Sequence, residues 1–194
     1  MKCLVEILSA INENNIGCIS NKEFDVNYRI EDNETIFSYA ISIPDFTHLD
    51  YFLKKNPDFE VVNDYGENIL HSAVYSGSLD KLKEIFFKIP KSKELINIQS
   101  KDGSTPLLLA ILLGYFDLAI FLIDKNADVN LSDNEGNTPL HIACYHGCLV
   151  LVKKLIEHQA NPFKKTNKGN YPLSCAVNED KKDVVIFLVQ SFYF

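Results

Sequence analysis

The stretch Asp133–Phe163, DNEGNTPLHIACYHGCLVLVKKLIEHQANPF, carries a complete local folding instruction. The Thr138 side chain can accept from the free N–H groups of a first helical turn. Pro139 gives up an N–H that would be unpaired there anyway, so the two residues start a helix. Leu140, Ala143 and Cys144 share one face of it, and the small Ala143 lets a second helix approach closely. Gly147 stops the helix, because only glycine takes the left-handed conformation cheaply. Leu149, Val152, Leu155 and Ile156 then recur at helical spacing, giving a second amphipathic helix antiparallel to the first.

Outward from this unit, one alanine marks the same place in each copy: Ala40, Ala73, Ala110, Ala143 and Ala176. Their separations are 33, 37, 33 and 33 residues. The equivalents of Thr138–Ala143 read TIFSYA from Thr35, NILHSA from Asn68, TPLLLA from Thr105 and YPLSCA from Tyr171. The central hexapeptide, TPLHIA, matches the T-P-L-H-x-A pattern of ankyrin repeats, and the spacing matches their period of about 33. The chain therefore resembles the ankyrin-repeat family over about residues 25–191.

The resemblance implies an all-α ankyrin-repeat solenoid of helix-turn-helix units joined by β-turn or hairpin fingers. We expect a single domain over 1–194, with an N-terminal half-cap at 1–29 and repeats near 30–62, 63–99, 100–132, 133–165 and 166–194. The five alanines count five helix pairs. Leu4, Val5, Ile7, Leu8 and Ile11 mark the cap helix. The one 37-residue spacing locates an insertion at Ile89–Leu95, where Pro90 stops a helix and four extra residues lengthen the turn opposite the fingers. Repeat one also has Pro44 where later repeats have Gly.

Composition bounds the function. The formal charge is −7, with 3 basic and 9 acidic residues in 1–50 against 7 and 4 in 151–194, so the charge is polarised along the chain. An acidic chain without a long basic run argues against nucleic acid as the partner, and Lys164, Lys165, Lys168, Lys181 and Lys182 read as a solvated face. Leu107–Ile123 is nearly all apolar but is shorter than a membrane span of about 20 residues. Gly114 and Asp117 break it where the family turns between helices, so no membrane span is expected. Five cysteines without framework spacing, and Glu6 interrupting the first apolar run, point to the cytoplasm, or to a host cytosol for a secreted effector. Richness in Asn, Ile, Lys and Phe fits an AT-rich genome such as that of an intracellular bacterium, a protist or a large DNA virus.

His141, His146 and His158 with Cys144 and Cys148 lack the spacing of a zinc site, and Cys144 stands where Val74, Ile111 and Val177 stand in other repeats. His141 and His71 share the family's structural His position. No nucleophile, acid and base gather, and no glycine-rich phosphate loop occurs, so neither an enzyme nor a cofactor is expected. Asp128-Val129-Asn130 resembles the ankyrin sequence that asparaginyl hydroxylases modify, whereas the simpler reading has Asn130 close a turn.

The resemblance implies a non-catalytic protein–protein interaction module that takes a partner protein on its concave face. It would serve as a host-directed adaptor or inhibitor, with the alternatives of a recruitment subunit for a ubiquitin-ligase-type complex and of a self-associating structural protein. Aligning the repeats places Tyr65, Tyr75, Leu112, Leu113, Tyr145 and His146 on that face, beside Asp32, Asp64, Glu67, Asp102 and Glu135 of the fingers. Such anchors within an acidic rim suit a segment with apolar side chains and Lys or Arg nearby. At the other end, Val184–Val189 is apolar without interruption, and Ile186 and Phe187 align with the solvent positions Lys153 and Lys154. That end is expected either to meet a second copy as a weak homodimer or to fold Phe192-Tyr193-Phe194 back over itself.

Overall fold

The structure, a computed structural model, describes residues 2–44 and 46–192. Tyr193 and Phe194 of the expected fold-back, and the side chain of Cys3, lie outside the described residues. Among those described there are twelve α-helices and no strand, and the chain separates into two compact units, Met1–Leu95 and Ile96–Phe194.

The first unit opens with α1 (Lys2–Asn12), which buries Ile7, Ala10 and Ile11 and packs on α2 (Ile36–Ser42), the first helix of a pair completed by α3 (Leu49–Leu53). The second pair is α4 (Ile69–Tyr75) and α5 (Leu79–Lys88). The insertion does more than lengthen a turn. After the exposed Pro90 the chain makes one more helical turn, α6 (Ser92–Leu95), with Ile89 and Ile96 buried on either side of it. Those two apolar residues anchor both ends of the extra segment, and the Asn68 side-chain amide donates to the Leu95 carbonyl at 2.8 Å.

The second unit stacks three pairs: α7 (Pro106–Leu112) with α8 (Phe116–Asp124), α9 (Pro139–His146) with α10 (Leu149–Glu157), and α11 (Pro172–Asn178) with α12 (Lys182–Phe192). The apolar run Leu107–Ile123 is split between α7 and α8, and no described helix is long and apolar enough to cross a membrane. The break falls at Leu113-Gly114-Tyr115. Asp117, expected in the turn, lies instead in the first turn of α8, where its carboxylate accepts from the Leu118 N–H at 2.9 Å. An acid there faces the positive end of the helix dipole.

All five register alanines are fully buried. Each first helix begins the same way: Thr35, Asn68, Thr105, Thr138 and Tyr171 are its N-caps. His141 shows why the family position holds a histidine. Its Nδ1 accepts from the Thr138 N–H at 3.2 Å, which leaves Nε2–H to donate to the Asn170 carbonyl at 3.1 Å in the next repeat. Burial holds the imidazole below its usual pKa, so the neutral ring is the form that makes both bonds.

The fingers are turns, with one isolated antiparallel bridge, Arg29 to Thr35, in the first. Each is closed by a backbone bond from the N–H of Ile30, Asn63, Ser100, Asp133 or Thr166 to the carbonyl four residues on, and a shorter turn bond lies within it. Gly66, Gly103, Gly136 and Gly169 supply the positive φ that each turn needs, and Asn33 supplies it in the first. Neighbouring fingers are tied within each unit: Asp64 N–H donates to the Asp32 carbonyl, Asn134 to Asp102 and Asn167 to Glu135, all at 2.8–2.9 Å. A Cβ on Gly103 would meet the Asn134 backbone at 2.7 Å, so this glycine is fixed by the close approach as well as by its φ. Asn130 is used at both ends of its amide, donating to the Gln159 carbonyl at 3.0 Å and accepting from the Asn161 N–H at 2.8 Å.

Candidate functional site

In the first unit the predicted residues do come together, through hydrogen bonds that the repeat alignment alone does not disclose. Asn63 closes its finger by accepting from the Tyr65 and Glu67 N–H groups at 2.9 and 3.0 Å. Its amide then donates to one Glu67 carboxylate oxygen at 2.9 Å, and the Tyr75 hydroxyl donates to the other at 2.6 Å. Tyr75 is the last residue of α4, so this bond couples the end of a first helix to the finger of its own repeat. The Tyr65 hydroxyl bonds the carboxylate of Asp32 in the preceding finger, and that negative charge pushes its pKa up. Asp64 accepts from the Asn33 amide at 3.2 Å.

Glu34, absent from the expected set, belongs to the same group. Burial, opposed by a hydrogen bond from Ser38 and aided by the charges of Glu67 and Asp32, pushes its carboxyl up to about 7. The signal available in sequence was that Glu34 and Glu67 occupy the same position in successive fingers, which places like charges side by side.

In the second unit the predicted residues divide. Leu112 and Leu113 end α7 and are exposed, as is Tyr145, two residues past the register alanine of α9, the place that Leu112 holds in α7 and Tyr75 in α4. His146 is not outward-facing as expected. Its ring is half-buried between Phe116 and Tyr145, with ring centroids 5.6 Å away in both cases, because Phe116 at the start of α8 offers an aromatic edge. The Asp102 carboxylate is engaged by its own finger: it accepts from the Ser104 N–H at 3.0 Å, the Ser104 hydroxyl at 3.1 Å and the Ser100 hydroxyl, and these hold its pKa below the usual carboxylate range. Glu135 pairs loosely with Lys168 at 3.7 Å, both well exposed.

Cys144 is fully buried in the α9 stack, and burial drives its thiol pKa far up, so it acts as a small hydrophobe. Among the described residues no three His, Cys, Asp or Glu side chains are grouped to hold a metal ion.

The repeated caps, turns and buried alanines define a helical repeat protein of the ankyrin type. A family model described as ankyrin repeats (3 copies) matches residues 47–133, 84–166 and 130–193, and the chain belongs to this family. The matched region begins after α2. The first repeat is joined to the rest by the same structural marks, a Thr35 cap, a buried Ala40 and a four-residue finger closure at Ile30. No curated protein matches the chain. Ankyrin repeats are in general protein–protein interaction modules and typically non-catalytic.

Proposed function

We propose that this protein is a non-catalytic binding module whose partner is another protein. The anchors offered to it are Tyr65 and Tyr75 in the first unit and, as a separate set, Leu112, Leu113 and Tyr145 in the second. The observation that carries the reading is the recurrence of a large exposed side chain at one register position, Tyr75, Leu112 and Tyr145, on helices whose other faces are buried. A stability requirement does not explain that recurrence, since polar residues would be tolerated there; Ser42 and Asn178 hold the same place in the first and last repeats. Tyrosines with carboxylates alongside, Asp32, Asp64 and Glu67, favour a partner segment with apolar side chains flanked by Lys or Arg. In the cytosol, such a module acts as an adaptor or as an inhibitor that occupies a partner's surface.

The test is quantitative affinity capture from cytosol with the intact chain and with Tyr75→Ala plus Tyr145→Ala, the fold of both being checked by circular dichroism. Partners that drop about tenfold or more on the double variant support the reading, since anchors of this kind each carry more than about 1 kcal/mol. A partner retained at full strength removes this surface from consideration.

A further inference from the structure

We propose that the anchors of the first unit, Tyr65 and Tyr75, take a segment that sets an arginine or lysine beside its apolar side chains, and that Glu34 is the residue that reads this charge. This rests on the partner surface assigned above and deepens it, naming what one of the two anchor sets selects and how pH controls it. Two independent features of the first unit meet here: a carboxylate without a counter-charge, and exposed aromatic rings held in place beside it.

Glu34 is the fifth residue of the first finger, the place held by Glu67 in the next finger and by Ser104, Asn137 and Asn170 in the second unit. In the second unit this residue is neutral and serves its own finger. The Ser104 hydroxyl donates to Asp102 at 3.1 Å and the Asn137 amide to Asp133 at 2.9 Å. The second finger reverses the polarity, since its opening residue, Asn63, donates to Glu67. The first finger opens with Ile30, which has no side-chain donor, and half-buried Glu34 turns instead to the hydroxyl of Ser38 on α2. A neutral residue would be tolerated there, as Ser104 and Asn137 show, so stability does not explain the acid.

Nothing described within the unit supplies the missing positive charge. Glu6, Asp50, Glu60 and Glu84 each pair with a lysine, whereas among the described residues Asp32, Glu34, Asp64 and Glu67 pair with none. The Arg29 guanidinium, at the base of the first finger, donates to the Asn33 and Val62 carbonyls at 2.7 and 3.0 Å. Helix α4 brings Tyr75 and the fully buried His71, whose Nδ1 accepts from the Asn68 N–H at 3.2 Å. The second finger brings Asp64, Tyr65 and Glu67, and the first finger Asp32. Burial, with the charges of Glu67 and Asp32 and against the Ser38 hydroxyl, pushes the Glu34 carboxyl up to about 7. A cation brought by the partner replaces the proton that Glu34 otherwise keeps.

The tyrosines say what kind of cation this is. Their rings are exposed while their hydroxyls are fixed, Tyr65 on Asp32 and Tyr75 on Glu67 at 2.6 Å. Rings held this way offer faces to apolar groups and to cations. An arginine or lysine is apolar along its stem and charged at its head, so a single side chain meets ring and carboxylate together. A small inorganic cation meets only the carboxylate. The anchors of the second unit lack this charge, since Asp102 is engaged by Ser100 and Ser104 and Glu135 pairs with Lys168.

The probe is a set of short synthetic peptides built from apolar residues and arginine, beside a matched set in which citrulline, neutral and of the same shape, replaces arginine. Arginine stays charged at every pH used, so any titration belongs to the protein. Retention on the immobilised full chain is measured across pH, next to Glu34→Gln, whose fold is checked by circular dichroism. The intact chain is expected to prefer the arginine set, with an affinity that rises by up to about tenfold per pH unit below about 7 and levels above it. In Glu34→Gln the arginine peptides bind more weakly above about 7 and that rise is gone. Equal retention of the two sets overturns the proposal, as does retention of neither, or a pH profile unchanged in Glu34→Gln. Tyr75→Ala separates the two readings. Peptides that weaken with Tyr75→Ala but ignore Glu34→Gln leave the partner surface standing and remove the charge reading alone. Peptides indifferent to Tyr75→Ala bind elsewhere, and the surface of the first unit falls with the proposal.

Discussion

Pro44 stands where Gly77, Gly114 and Gly147 close their helices with positive φ, and its ring holds φ near about −65°. Helix α2 therefore cannot end in the left-handed turn that the later repeats use. The compensation comes from Lys81, which occupies a position held by Leu118, Leu151 and Val184 elsewhere. Only 7 % exposed, it donates from its ammonium to the carbonyls of Ile41 and Pro44 at 3.3 Å and of Ile43. Lys81→Met would restore an apolar residue of similar length, yet it removes the donor from buried carbonyls, a loss of about 1–3 kcal/mol that outweighs better apolar packing. Denaturant unfolding checks this, and a variant as stable as the parent would show that the ammonium holds nothing. Glu34 gives a pH effect of defined sign. Its carboxyl rises from 4.5 when unfolded to about 7 when folded, so its contribution to stability is complete below pH 4.5 and is lost as pH rises through about 7. His141 runs oppositely, its contribution being present above 6.5 and lost as pH falls through its depressed value. The difference between the parent and Glu34→Gln isolates the first effect: the variant should have the higher thermal midpoint above about pH 7 and no advantage near pH 4.5. Equal midpoints throughout would mean that Glu34 is well hydrated. Lys81 did not stand out in sequence, because it owes its role to carbonyls of the neighbouring repeat that periodicity does not encode, and Glu34 was legible only as an acid in register with Glu67, since its burial is not written in the repeat.

The elements were far easier to read. A threonine cap, a proline at the first helical position and an alanine five residues after the cap are local signals, and they located α7 and α9 because capping needs no distant partner. The insertion was placed correctly but its form was not. Four extra residues, Lys91–Glu94, gave no periodicity to read, and α6 exists because Ile89 and Ile96 are buried at its two ends. His146 misled for a similar reason, since its register pointed outward while Phe116 drew its ring down. Ala143 tests the register itself. It is fully buried on α9, which packs on α7, α10 and α11, so a larger side chain has no direction in which to relax. Ala143→Leu should destabilise the protein by about 1–3 kcal/mol through overpacking, read as a lower denaturant midpoint. An unchanged midpoint would place Ala143 outside the stack.

At the scale of the whole molecule, the charge asymmetry expected from sequence follows the two units. Residues 1–95 carry 10 basic and 16 acidic side chains, residues 96–194 carry 9 and 10, and the excess acid lies in the unit with the Asp32, Glu34, Asp64 and Glu67 group. Stability is distributed by a different rule. In a repeat protein each pair is held by its neighbours, so a helix covered on several sides opens only with them, whereas one at an edge frays alone. In the second unit α9 packs on α7, α10 and α11, while α12 packs on α10 and α11 and leaves Ile186 in solvent. In the first unit α4 packs on α2 and α5 and buries six of its seven residues, while α3 has five residues and buries Leu49 and Phe52. Backbone hydrogen exchange followed by mass spectrometry should therefore rank α9 slower than α12 and α4 slower than α3. The order is expected to survive Ile186→Lys, because the substituted position carries little burial. Exchange at one common rate throughout a unit would mean that it opens as a whole, and the graded description of its stability would be wrong.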